Sequence, residues 1–145
     1  MKMSSRLAEL KDAEFITGLC EQLGYKTTVE KIQDRLSEIL KNGDHCVFVI
    51  PGNENIIGWI HAFYTSRIES GSFVEIGGLI VDSAYRKKGI GRELVKKVIE
   101  WADLRKCSKL RVRCNSLRQE THRFYTNLSF LEIKEQKVFE LELNN

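Results

Sequence analysis

Glu75-Ile-Gly-Gly-Leu-Ile-Val-Asp-Ser-Ala-Tyr-Arg-Lys-Lys-Gly-Ile-Gly-Arg-Glu-Leu-Val-Lys-Lys-Val-Ile-Glu-Trp-Ala102 passes from an apolar strand pattern, through a basic glycine-bearing loop, into an amphipathic helix. The strand pattern closes at Val81, and the loop carries Arg86, Lys87, Lys88, Gly89 and Gly91. Ile90, Leu94, Val95, Val98, Ile99 and Ala102 then recur at helical spacing, with Arg92, Glu93, Lys96, Lys97 and Glu100 mostly opposite. Such a junction holds anions. The first N–H groups of a helix lack an intrahelical partner, the helix dipole adds partial positive charge there, and a glycine turn aligns further N–H groups. A phosphate-bearing ligand is the expected guest. The spacing has neither the Gly-Lys-Ser/Thr of a P-loop nor Gly-x-Gly-x-x-Gly.

The surrounding chain sets the bounds. Its 145 residues, 42% apolar, suit one domain over 1–145 with a single core. A net charge of +3, from 23 basic and 20 acidic residues, gives little support to nucleic acid as the main partner. No apolar run is long enough for a signal peptide or a spanning helix, so a soluble cytoplasmic protein with no membrane partner is expected. Cys20, Cys46, Cys107 and Cys114 show neither a Cys-x-x-Cys pair nor zinc-like His spacing. They read as small apolar residues in a reducing compartment, with no disulfide and no metal.

Upstream, Asp12 reads as the N-cap of a helix over 12–23 through Phe15, Ile16, Leu19, Cys20 and Leu23, stopped by Gly24. Thr27-Thr-Val-Glu30 has the form of a capping box opening a second helix that runs to Asn42-Gly43. Strand patterns at 45–50, 56–64 and 73–81 predict an antiparallel meander. A strand at 109–114 follows the 90–102 helix, and a strand-helix-strand return makes it a parallel neighbour of 75–81. A helix at 118–128, packing through His122, Phe124 and Tyr125, and a closing strand at about 137–143 complete a mixed α/β fold. Gly77-Gly78 marks a bulge that would bend its strand and free hydrogen-bonding groups.

Two segments in this order resemble the GCN-five-related N-acetyltransferases, or GNATs. Leu79-Ile-Val81 with Arg86-Lys-Lys-Gly-Ile-Gly91 looks like that family's pyrophosphate signature. Asn115 with His122-Arg-Phe-Tyr125-Thr-Asn-Leu-Ser-Phe130 looks like its later motif. Ser129 stands where the family usually has Gly and would need a tolerable backbone angle, and Ser83 stands near a common Pro. The resemblance implies a GNAT fold with a splayed parallel strand pair and about four helices.

It also implies acetyl-CoA as acyl donor, with no metal, and direct transfer to a primary amine in a ternary complex. Leu79, Ile80 and Val81 would meet the pantetheine arm. Backbone from Arg86 and Lys87 through Lys88, Gly89, Ile90 and Gly91 to Arg92 would hold the pyrophosphate, and Asn115 and Tyr125 would add contacts. Tyr125 takes the general-acid role, protonating the departing thiolate. Glu75 is the expected base, with His61 or a water chain as alternatives. Tyr25, Trp59, His61 and Tyr64 are candidates for the acceptor side. The expected acceptor is a small-molecule amine, with a protein N-terminus or lysine, or a non-catalytic acyl-CoA sensor, as alternatives. A homodimer is compatible with the family's habit.

Overall fold

The computed structural model describes residues 4–144. A short strand β1 (Arg6–Leu7) leads through a single-turn helix at Leu10–Asp12 into α1 (Ala13–Gln22) and α2 (Val29–Leu40). The meander is β2 (His45–Pro51), β3 (Ile56–Arg67) and β4 (Gly71–Val81), followed by α3 (Ile90–Leu104), β5 (Leu110–Val112) and α4 (Gln119–Asn127). The sheet runs β1-β2-β3-β4-β5, antiparallel except for the parallel β4–β5 pair. Two compact units make up the chain: Met1–Arg113, which carries the sheet, and Cys114–Asn145, which carries α4.

Local chemistry explains the ends of the helices, with some departures from expectation. Asp12 is the N-cap residue of α1, as expected, but its side chain makes no cap bond to that helix. Its carboxylate is buried, accepts from the Glu9 N–H at 2.8 Å and takes both guanidinium nitrogens of Arg6 at 2.8 and 2.9 Å. Burial alone would push that carboxyl up, but the Arg6 and Glu9 bonds outweigh it and hold it below the usual carboxylate range. Gly24 stops α1 as expected, donating to the Glu21 carbonyl at 3.0 Å while Tyr25 N–H reaches Cys20 at 3.2 Å. The cap of α2 is Thr28 rather than Thr27. Its hydroxyl accepts from Lys31 N–H at 3.2 Å, so Glu30 falls one position short of a reciprocal box.

Strand alternation divides the core between two faces of the sheet. On one, Val47, Val49 and Ile80 are buried against Ile16, Leu19 and Leu36 of α1 and α2, with Trp59 packed alongside. On the other, α3 lies close to the strands. A Cβ on Gly58 would stand 2.9 Å from Ile90 and 3.3 Å from Leu94. Ile90, Leu94, Val95, Val98 and Ala102 are buried as their spacing predicts, whereas Ile99 is half exposed. No helix among the described residues is long and apolar enough to cross a membrane.

The closing strand expected at 137–143 is absent, and residues 131–144 carry no regular structure. Alternation prescribes which side chains share a face, but a strand exists only where a neighbour takes its N–H and C=O groups. Among the described residues, no ladder includes that segment.

Candidate active site

Below its midpoint β4 pairs on both sides. Val74, Glu75 and Ile76 face Leu110, Arg111 and Val112 of β5, and Val74 N–H donates to the Lys109 carbonyl at 3.0 Å. The parallel ladder stops at Ile76. Opposite, the β3–β4 register shifts between His61 and Ala62, leaving Gly77 as the extra residue of a bulge. An extra residue inverts which backbone groups face which neighbour. Asp82 N–H donates to the Ile57 carbonyl at 2.8 Å, so two-residue alternation turns Ile80 toward β3 and Leu79 and Val81 toward the β5 side. Among the described residues, no strand pairs with them there. The bulge therefore converts a paired strand into one with an open edge, as the glycine pair predicts.

Gly78 serves a second purpose. A Cβ on it would lie 2.8 and 3.0 Å from the Trp59 ring, a rigid neighbour that cannot yield by rotating a flexible tail.

The open edge runs into the loop. Asp82 caps the turn at Ser83–Tyr85 by accepting from Ala84 N–H at 3.0 Å, and the Gln22 side chain of α1 fixes Ser83 N–H at 3.0 Å. Lys87 (φ 62°) and Gly89 (φ 83°) are both left-handed, and Gly89 is the N-cap of α3. For glycine that conformation is free; for lysine it is strained, a feature of sites whose shape is imposed. These residues curl the chain into a nest. Among the described residues, no N–H from Lys87 to Arg92 donates to a backbone carbonyl or a side chain, while Glu93 N–H returns to the Gly89 carbonyl at 3.0 Å. Six consecutive donors, Lys87, Lys88, Gly89, Ile90, Gly91 and Arg92, are thus available at the helix N-terminus. Lys88 lies over the Tyr85 ring.

On the sheet face shared with α1 and α2, the structure brings Glu75, His61 and Trp59 to the two sides of the bulge. Glu75 pairs with Phe63, Gly78 with His61, and Ile80 with Trp59. Glu75 is largely covered and lies 3.4 Å from the Arg113 guanidinium. His61 Nε2 shares a hydrogen bond with His45 Nδ1 at 2.9 Å, and its Nδ1 stands 2.9 Å from where a Cβ on Gly77 would be. Burial, and secondarily His45, pushes the His61 pKa down to about 4, so the ring stays neutral over the working range. Tyr25 is exposed at the head of an open depression of about 410 Å³ with Glu21, Gly24, Lys26 and Thr27. Trp59 Nε1 and Thr27 Oγ1 are both buried without a hydrogen-bond partner among the described residues. Tyr64 does not join this group. It alternates to the opposite face, under the Arg105 guanidinium, and its hydroxyl donates to Ser72 at 2.8 Å.

Sequence reasoning passed over His45 and Arg113 as partners of the candidate bases. The alternation of Lys109, Arg111 and Arg113 was the available signal, and the structure engages all three. Lys109 reaches the Ser70 carbonyl at 3.3 Å, Arg111 stacks over Phe73 at 4.2 Å, and Arg113 takes Glu75.

Within the C-terminal unit, Tyr125 is buried between Phe124 and Phe130, edge to face at 4.9 and 5.2 Å. Its hydroxyl makes no hydrogen bond among the described residues. Burial, and secondarily Cys114, pushes the phenol pKa up, so it remains a proton donor throughout the neutral range. Leu128, Ser129 and Phe130 close α4 in a Schellman turn with Ser129 at φ 72°, the left-handed angle that glycine would supply. Asn115 Oδ1 accepts from Leu117 N–H at 2.9 Å, and its carbonyl meets His122 Nε2 at 2.8 Å. Its side-chain oxygen is therefore spent on a turn, with the amide nitrogen left over.

An open strand edge continuous with a backbone anion nest offers the hydrogen-bonding groups that an extended, phosphate-bearing ligand would need. The acetyltransferase (GNAT) family model matches residues 9–130, and the chain belongs to that family. An N-acetylaspartate synthetase of Danio rerio is 29% identical over 102 residues, 70% of this chain and 35% of that protein. The chain spans about a third of the length of the curated relatives it matches. In fold it resembles a transcriptional regulator from Bacillus halodurans, at TM-score 0.86 and 24% identity over 97% of this chain and all of that one. It also resembles an aminoglycoside N-acetyltransferase in complex with CoA, at TM-score 0.88 and 18% identity over 98% and 96% of the two chains.

Proposed function

We propose that the protein transfers the acetyl group of acetyl-CoA to the primary amine of a small molecule, by direct attack in a ternary complex. The observation that carries this reading is the run of six unpartnered N–H groups from Lys87 to Arg92, continuous with the open edge at Leu79 and Val81. The nest and helix dipole match a pyrophosphate, and the open edge matches an amide-bearing arm that pairs like a short strand. Leu79 N–H also suits the oxyanion of the tetrahedral intermediate. The family, and relatives named for acetylating aspartate and aminoglycosides, support both the chemistry and the small acceptor.

Tyr125 is assigned as general acid and Glu75 as base, with His61 as the competing base. The Asn115 amide nitrogen is left for the coenzyme. Trp59, Tyr25 and His61 border the acceptor, whereas Tyr64 has no part on that face. The four free thiols suit a reducing cytoplasm, where we place the protein. Binding of acyl-CoA without turnover is the second reading, and the Arg113–Glu75 pair favours it by occupying the assigned base. Incubation with acetyl-CoA and a panel of amines, with detection of the released thiol, separates the two. Amine-dependent thiol release is expected, and its absence alongside saturable acetyl-CoA binding would leave only the binder.

A further inference from the structure

His45 and His61 are diagonal neighbours on the sheet face that carries Glu75 and Trp59, because across β2 and β3 His45 pairs with Phe63 and Val47 with His61. Their rings lie 13° apart, joined by the 2.9 Å bond between His45 Nδ1 and His61 Nε2, and the Phe63 ring flanks them at 5.4 and 5.7 Å. That bond uses one nitrogen of each ring. Among the described residues, neither His61 Nδ1 nor His45 Nε2 makes a hydrogen bond. A bond on the outer nitrogen is what fixes a histidine's tautomer. Neither ring has one, so the pair is free to exchange tautomers.

The two free ends lie in different places. His61 Nδ1 stands against the exposed Gly77 at the bulge, two residues before Leu79, whereas His45 is the half-buried first residue of β2, next to the exposed Asp44. Burial holds His61 at about 4, so near neutrality its ring cannot keep an added proton. It can accept one at Nδ1 only while passing one on from Nε2, and the atom placed to receive that proton is His45 Nδ1. Glu75 offers no such exit. Its partner Arg113 has donors but no acceptor.

We propose that His61 and His45 form a relay that carries the acceptor's ammonium proton to solvent: an N–H bond forms at His61 Nδ1, the Nε2 proton of His61 moves to His45 Nδ1, and the Nε2 proton of His45 passes to water. This rests on the transfer reaction proposed above, and it holds whether the ammonium meets His61 directly or through Glu75. Each ring ends with the charge it began with and its proton moved from Nε2 to Nδ1. Once the product has left, exchange with water at the two free nitrogens restores the starting tautomers.

Nitrogen-15 NMR on the full chain labelled at histidine tests the pair without any acceptor. A coupling across the His45–His61 bond and tautomer exchange in both rings are expected. No coupling, or a His61 fixed with its proton on Nδ1, overturns the proposal. Kinetics then test its use, with acetyl-CoA as donor and ethanolamine, glycine and spermidine as probe acceptors. His45→Phe keeps a ring beside Phe63 but has no nitrogen, and should lower kcat on the order of 100-fold with the KM for acetyl-CoA unchanged. Added imidazole should restore the rate of His45→Gly. An unchanged kcat in His45→Phe overturns the relay. Should a variant fail to fold, or the wild type acetylate none of the three amines, the NMR result decides, and the second outcome counts against the transfer reading alone.

Discussion

The two halves of β4 differ by one residue of register and by almost everything else. From Val74 to Ile76 the strand is paired on both sides, and Phe73, Val74 and Ile76 are buried. From Gly78 to Val81 it is paired on one side only, and its other side opens toward a nest of free N–H groups. The lower half uses its backbone for structure; the upper half leaves outward backbone groups unpaired, where the proposed coenzyme arm would lie. Gly77 makes the difference, since a bulge reverses the direction of every later peptide group without ending the strand. Mutations in the two halves should therefore fail in different currencies, one in stability and the other in binding.

The largest expected effect is in the lower half. Phe73→Ala removes a fully buried ring and should cost about 3–5 kcal/mol in urea unfolding, while folded molecules keep their affinity for acetyl-CoA. Gly89→Glu is the converse. It places a β-carbon at a left-handed residue and a negative charge in the nest, and should weaken acetyl-CoA binding by at least about 100-fold in calorimetry. If Phe73→Ala lost affinity as fast as stability, the division between the halves would fail.

Tyr125→Phe should lower kcat on the order of 100-fold while the coenzyme Kd stays nearly constant, because the ring packing survives and only the proton donor goes. Full activity in that variant would end the acid assignment. Gly78→Ala sets a β-carbon against the Trp59 ring and should cost about 1–3 kcal/mol, visible also as a changed tryptophan fluorescence. The smallest effect lies outside the strand. Ser129→Gly relieves the left-handed turn after α4 and should raise stability by roughly 0.5 kcal/mol without touching kinetics.

How much of this was legible in the sequence depended on whether the deciding interaction was local. The loop and helix from Arg86 to Ala102, the stop at Gly24, the meander and the bulge at Gly77-Gly78 all follow from spacing and from residues with restricted backbone preferences. The angle required at Ser129 could be named in advance only through the family resemblance, which puts glycine at that turn. Partners distant in sequence could not. Asp12 stands at the N-cap of α1 as its sequence suggests, but that its carboxylate goes to Arg6 of β1 is not written there, and Glu75 looks like a solitary base until Arg113 is brought to it. His45 and His61 stand sixteen positions apart and meet only because of the β2–β3 register. The segment at 137–143 shows the same limit from the other side. Its alternation is a true strand signal, but whether a strand forms depends on a neighbour that its own sequence does not encode.

Calorimetric titration of acetyl-CoA beside S-acetylpantetheine, which has the same arm and thioester without the pyrophosphate, tests the central claim most directly. Saturable binding of one acetyl-CoA per chain is expected, with S-acetylpantetheine bound far more weakly because it leaves the Lys87 to Arg92 donors unused. Equal affinity for the two ligands, or no heat with acetyl-CoA, would contradict it.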